Sequence, residues 1–360
     1  MTPFTYIAHP ARVIFGAGAL AQLAAEIERL GARRALVLCT PEQTHVAQRV
    51  AGLLGARAAG VFAKAVMHVP IETAREARAE AARVGADCAV AVGGGSTTGL
   101  GKAIALDSGL PIVAIPTTYA GSEMTPIYGL TEGGVKKTGR DPRVLPRTVI
   151  YDPELSVSLP VGLSVTSGLN AIAHAAEGLY AHDGNPIVAL MAEEGIRAMA
   201  AALPRLARRG DDLDARADAL YGAWLCGAVL GHVSMGLHHK LCHTLGGSFD
   251  LPHAETHSVV LPHALAYNAA HAPEAMRRIA RALGVPADAS DPLAAACAVQ
   301  ALARALGAPA SLAAIGMPAD GLDRAAGLAA ASPYPNPRPL ERAALRALLQ
   351  RAFDGAAPQT

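Results

Sequence analysis

The chain has 360 residues, 51% of them hydrophobic, which supports two globular domains with separate cores and excludes a disordered chain. Lys and Arg number 31 against 30 Asp and Glu, a net charge of +1 with no basic arm, so nucleic acid is not an expected partner. No apolar run is long enough to span a bilayer, no basic-then-apolar leader opens the chain, and five scattered cysteines (Cys39, Cys88, Cys226, Cys242, Cys297) fit reduced thiols in apolar positions; the expectation is a cytoplasmic protein with no membrane partner.

In chain order, strands are expected over 12–15, 34–39, 59–62, 88–92, 111–115 and 148–151. Helices over about 18–29, 43–54 and 71–84, and one opening after residue 95, alternate with them. The run at 34–39 is apolar throughout, as in strands buried on both faces. This alternation predicts an α/β N-terminal Rossmann-like nucleotide-binding domain over residues 1–158. Gly133-Gly134 reads as a β-turn, with Lys137 beside it as a candidate for a cofactor phosphate or a substrate carboxylate.

Strand signals stop after Leu159-Pro160. Helical patterning follows over 164–181, 187–208, 213–231, 260–283, 292–306, 318–330 and 339–353, with a histidine-rich stretch between the third and fourth. Residues 159–360 are thus expected to form an all-α C-terminal, catalytic domain.

Two stretches carry chemistry. The strand at 88–92 runs into Gly93-Gly94-Gly95-Ser96-Thr97, where glycines let the backbone approach a bulky anion and Ser96 or Thr97 can cap the next helix. Backbone N–H groups at such a helix start suit a pyrophosphate. Thr117, Thr118 and Ser122 follow the strand at 111–115, where parallel sheets place ligands. The second stretch holds five of the thirteen histidines: His238, His239, His243, His253 and His257. His239 and His243 are one helical turn apart, Gly246-Gly247 is expected to end their helix, and Pro252 then presents His253. Imidazoles so spaced can serve as metal ligands, acid–base groups or anion receivers. Upstream, Asn170, His174 and Glu177 share one helix face, and a proline-rich turn presents Asn336 and Arg338.

Taken in order, Phe15-Gly16-Ala17-Gly18, Gly93-Gly94-Gly95-Ser96, Pro116-Thr117-Thr118, Asp152-Pro153-Glu154-Leu155, the segment from Ser167 to Glu177, His239 to Gly247 and Pro252-His253 resemble the iron-type (group III) alcohol dehydrogenases. That family shares its fold with glycerol dehydrogenase and dehydroquinate synthase. The resemblance covers nearly the whole chain and implies NADH or NADPH as cofactor and a homodimer. Its metal ligands are an aspartate and three histidines; the histidines fall on His174, His239 and His253, while the aspartate position holds Asn170. A neutral amide is a poor ligand, so a bound Fe or Zn ion is in doubt. Two other departures are Gly99, where the family usually has an aspartate, and Tyr119, which brings an aromatic ring into a small-residue loop. Thr40 stands where many relatives carry an aspartate that repels the extra phosphate of NADP, consistent with use of either cofactor.

These departures resemble the branch of the family that reduces maleylacetate to 3-oxoadipate at the end of bacterial aromatic degradation. Such a reaction needs donors for an enolate oxygen and cations for two carboxylates. His243, His253, His239, His174 and Lys240 are the candidate catalytic residues, and Tyr119, Asn170, Lys240, His257 and Arg338 the candidate contacts to a small dicarboxylate. A metal-dependent alcohol or polyol dehydrogenase of the same family, and a lyase of the dehydroquinate synthase type, are the alternatives.

Overall fold

In a computed structural model, which describes residues 4–9, 12–133, 135–286, 291–331 and 334–360, the chain divides into two compact units. One is Ala8–Leu159; the other is Pro160–Thr360 joined by the segment that ends at Ile7.

The first unit carries β1 (Arg12–Phe15), α1 (Leu23–Arg29), β2 (Ala35–Leu38), α2 (Thr44–Leu54), β3 (Ala58–Phe62), α3 (Ile71–Arg83), β4 (Cys88–Gly93), α4 (Gly95–Ser108), β5 (Ile112–Pro116), β6 (Ile127–Glu132), β7 (Val135–Arg140) and β8 (Thr148–Tyr151). Six strands form one parallel sheet in the order β1-β8-β5-β4-β2-β3. Val37 packs with Leu23, Ile27 and Val50 in one core, whereas Leu36 and Leu38 pack with Ala77, Leu100 and Ile104 in another. Both faces of β2 are therefore covered, which is why its sequence is apolar without alternation. From β2 the chain moves out to β3 at the edge and returns to β4 on the other side of β2. The carboxyl ends of β2 and β4 thus mark the switch point, where sheets of this kind open a ligand crevice.

The antiparallel pair β6–β7 was not expected from the sequence. Its described side chains are half-buried or exposed and do not alternate between apolar and polar, so no period-2 pattern announces them. Gly134 of the expected turn and the side chain of Lys136 lie outside the described residues. The hairpin braces a neighbouring loop: Thr131 donates through Oγ1 to the His68 carbonyl at 2.8 Å and through its N–H to the Val69 carbonyl at 3.1 Å. His68 and Val69 have φ of +64° and +46°, a costly backbone state for a β-branched residue. The Val69 side chain fills the space over Gly99, whose added Cβ would lie 2.8 Å from Val69 Cγ2.

The second unit is helical, as expected: α5 (Val161–Gly178), α6 (Pro186–Arg208), α7 (Leu213–His232), α8 (Leu237–Phe249), α9 (His253–Asn268), α10 (Pro273–Ala282), α11 (Ala294–Ala305), α12 (Leu322–Ala331) and α13 (Arg342–Asp354). Leu237, Leu241 and Leu245 make the core stripe of α8, against Val260 and Ala264 of α9 and Leu345 and Leu349 of α13. His238 with Cys242, and His239 with His243, occupy the adjoining stripes.

Two expectations need correction. Gly246-Gly247 does not end the histidine helix; α8 continues to Phe249 and stops at Asp250, whose φ of +55° is a left-handed state that Asp tolerates better than most residues. The single helix expected over 260–283 is two helices. Proline at 273 disfavours a helical conformation at Ala272, which has φ −137° and ψ 53°, and α10 starts afresh there. Four cysteines are buried as expected, but Cys297 is exposed. Among the described residues no single helix is long and apolar enough to cross a membrane.

Candidate active site

At the switch point of the α/β unit, β4 ends on Gly93. Its φ is +149°, and an added Cβ would lie 2.5 Å from Thr97 Oγ1 and 2.7 Å from Gln43 Oε1, so only glycine fits. Gly94 is the N-cap of α4 and no side chain caps the helix, contrary to the role expected of Ser96 or Thr97. Thr97 Oγ1 is instead buried with no hydrogen-bond partner among the described residues. The first N–H groups of α4 lack intrahelical acceptors, which suits an anionic ligand.

Neighbouring segments close around this loop. Thr117 N–H donates to the Gly93 carbonyl at 3.0 Å, and Gln43 Nε2 donates to Thr117 Oγ1 at 2.8 Å. An added Cβ on Gly94 would lie 3.0 Å from Thr118 Oγ1. Thr40 precedes the turn Pro41–Gln43 at the end of β2. Gln43 was missed in the sequence, where it is an unremarkable polar residue at a helix start. Tyr119 is fully buried. The segment through Ser122 is held by Lys102, whose Nζ donates to the carbonyls of Ser122, Thr125 and Ile127 at 2.6, 2.8 and 2.7 Å and to Thr125 Oγ1 at 3.0 Å. Burial pushes Lys102 down to about 7, against the opposing pull of Glu123. Lys137 is exposed and paired with Glu132 at 2.9 Å.

The helical unit gathers the imidazoles. Asn170, His174 and Glu177 are buried on α5. The rings of His174 and His239 stack with centroids 4.9 Å apart, and His257 lies 5.0 Å from His239 and 4.4 Å from His253. His243, exposed on α8, has its ring 6.2 Å from that of His239. Glu177 Oε2 is 2.7 Å from His239 Nδ1. His238 Nε2 and His257 Nδ1 share a hydrogen bond of 2.9 Å, with Cys242 Sγ 3.7 Å from the same His238 nitrogen. Burial first, and neighbouring imidazoles second, hold His174, His238 and His257 well below the usual histidine range, so these rings are neutral. Burial, with Glu177 nearby, pushes the Cys242 thiol well up.

The two candidate cations are less committed to the cluster. Lys240 is half-buried with Nζ 5.6 Å over the Tyr334 ring. Arg338 is half-buried, its guanidinium 4.2 Å over Tyr267. The turn before Arg338 is anchored by Asn336, which donates to Asn268 Oδ1 at 2.8 Å and accepts from Leu237 N–H at 3.3 Å at the start of α8. A cavity of about 560 Å³ is bordered by Glu177, Gly236, His271 and Asn336, but none of the six clustered imidazoles lines it.

The donor set fits a divalent metal ion in part. Asn170 Oδ1, His174 Nδ1 and His239 Nε2 are buried with no hydrogen-bond partner among the described residues. Neutral imidazoles are good ligands for zinc or iron, while the amide contributes no charge.

Residues 10–153 match the model of the iron-containing alcohol dehydrogenases, and residues 164–353 that of the C-terminal region of the Fe-containing alcohol dehydrogenase family. A maleylacetate reductase of Burkholderia cepacia is 68% identical over 358 residues, covering 99% of this chain and 100% of that protein. The crystal structure of a maleylacetate reductase from Agrobacterium tumefaciens superimposes with a TM-score of 0.95 at 57% identity, covering 99% of this chain and 100% of the other. That of the maleylacetate reductase from Rhizobium sp. strain MTP-10005 does so with a TM-score of 0.94 at 56% identity, with the same coverage. The chain belongs to the iron-containing alcohol dehydrogenase family.

Proposed function

We propose that this chain reduces maleylacetate to 3-oxoadipate with NADH or NADPH. The observation that carries the reading is the 68% identity, end to end, to a maleylacetate reductase. The neutral amide of Asn170 supports it, because a site without a carboxylate at that position holds a divalent cation less tightly than a metal-dependent alcohol dehydrogenase needs.

When bound, NAD(P)H supplies a hydride, which adds to the alkene carbon β to the ketone. The alkene π pair shifts to join the α carbon and the ketone carbon, the carbonyl π pair moves onto oxygen to give an enolate, and the α carbon then takes a proton as the carbonyl re-forms. His243 and His253 donate hydrogen bonds to the developing enolate oxygen, and one of them delivers the proton; Lys240 supports the same oxygen. Lys240 and Arg338 offset the two carboxylates, and Asn170 and His257 of the helical unit are contacts to the dicarboxylate, as is Tyr119 of the α/β unit. Gly93, Gly94 and Gly95, with Ser96, Thr97, Thr117, Thr118 and Ser122, receive the cofactor pyrophosphate, and Thr40 leaves room for either NADH or NADPH. Lys137 would have to leave its pairing with Glu132 to reach a cofactor phosphate.

His174, His239 and His253 would hold a divalent metal, with Asn170 as a neutral fourth donor. Bound there, a metal would act as a Lewis acid on the substrate oxygen. The assay that tests the reading follows NADH oxidation with freshly prepared maleylacetate and NAD reduction with short alcohols and diols. Turnover of the alcohols alone, or no net absorbance change with any substrate, would transfer the chain to one of the two alternative activities.

A further inference from the structure

Glu177 takes no part in the steps above, yet the start of α8 is built on it. The side chain is fully buried on α5. It accepts from the backbone N–H of Gly236 at 3.0 Å, of His238 at 2.9 Å and of His239 at 3.4 Å. It also pairs with His239 Nδ1 at 2.7 Å and accepts from Tyr180 Oη at 3.3 Å. The N-cap of α8 is Gly236, which has no side chain to offer, so Glu177 caps this helix from another element. A negative group there is also favoured by the helix dipole.

Both Glu177 oxygens already accept from backbone N–H groups, so the His239 nitrogen facing Oε2 is the donor and carries the ring proton. The other nitrogen, Nε2, is buried with no partner among the described residues. We infer that Glu177 is a positioning residue that locks His239 in the Nδ1–H tautomer and leaves the Nε2 lone pair as the one atom this ring offers to substrate or metal. In that tautomer His239 accepts or ligates through Nε2 and does not donate to an enolate. The donor roles fall to His243 and His253, so two imidazoles one helical turn apart on α8 do opposite work. The division of labour rests on the proposed reductase activity; the tautomer does not.

The test reads the tautomer directly, by long-range proton–nitrogen correlation of the ring nitrogens in histidine-labelled protein, with His239 assigned from His239→Gln. The expected result for the wild type, without substrate, is protonated Nδ1 and bare Nε2; a protonated Nε2 overturns the inference whatever the substrate proves to be. In Glu177→Leu the acceptor is gone, and His239 is expected to populate both tautomers. There kcat with maleylacetate should fall at least about ten-fold while the NADH dissociation constant stays unchanged. A lone Nδ1–H tautomer or an undiminished kcat in the folded variant overturns the inference. If Glu177→Leu does not fold, the wild-type tautomer alone decides.

Discussion

Gln43 Nε2 donates to Thr117 Oγ1 at 2.8 Å, tying the segment after β2 to the segment after β5 across the end of β4. The carboxamide also sits where a side chain on Gly93 would go. Gln43→Ala should loosen the glycine loop without touching the imidazoles. Loss of one part-buried hydrogen bond, about 1 kcal/mol, corresponds to a rise of roughly five-fold in KM for NADH. Steady-state kinetics with varied NADH checks this, and a change confined to kcat would contradict it.

His243 is exposed on α8 and is the proposed donor to the enolate oxygen. His243→Ala is expected to lower kcat with maleylacetate by about 10²–10⁴-fold, the usual contribution of a general acid. Cofactor affinity should hardly change. A variant that keeps wild-type kcat would leave His253 as the acid.

Asn170 Oδ1, like His174 Nδ1 and His239 Nε2, is buried with no hydrogen-bond partner among the described residues, so restoring a carboxylate should convert a weak metal site into a strong one. Asn170→Asp is expected to retain a stoichiometric divalent ion through dialysis that strips the wild type. Elemental analysis of both proteins decides it; equal metal content in the two would show that the amide is no handicap.

Outside the cluster, His263 on α9 is buried, and burial first, then Arg351 and Arg304, lower its pKa to about 4. The unfolded chain therefore binds more protons than the folded one between about pH 6.5 and 4, and stability falls as pH drops through that window. The contribution of His263 is fully present above pH 6.5 and amounts to roughly 2 kcal/mol lost by pH 5. His263→Leu should remove this part of the slope. Urea unfolding of both proteins at pH 7.5 and pH 5 measures it, and parallel losses would exclude His263 as a source of acid lability.

How far the sequence revealed this molecule depended on whether a signal was local. The strands at β2, β4 and β5 were legible because burial on both faces writes an unbroken apolar run. The glycine loop was legible because strand, glycines and helix are contiguous. Gln43 was not, since its partner lies 74 residues away and a lone glutamine carries no pattern. Glu177 could be placed on the face of Asn170 and His174 by helical spacing. Its bond to His239 spans 62 residues and is set by how α5 packs, which no spacing rule contains. The hairpin β6–β7 escaped because its residues do not alternate between apolar and polar.

Val69 Cγ2 sits 2.8 Å from the place a Cβ on Gly99 would occupy. The two positions therefore constrain each other's history. An acidic side chain at 99 would force Val69 to shift, so a change to the acid is expected to be better tolerated once residue 69 is smaller. Substitutions at these sites are contingent on order, so sequences intermediate between this chain and its acidic relatives should carry a small residue at both positions before the bulk reappears at either.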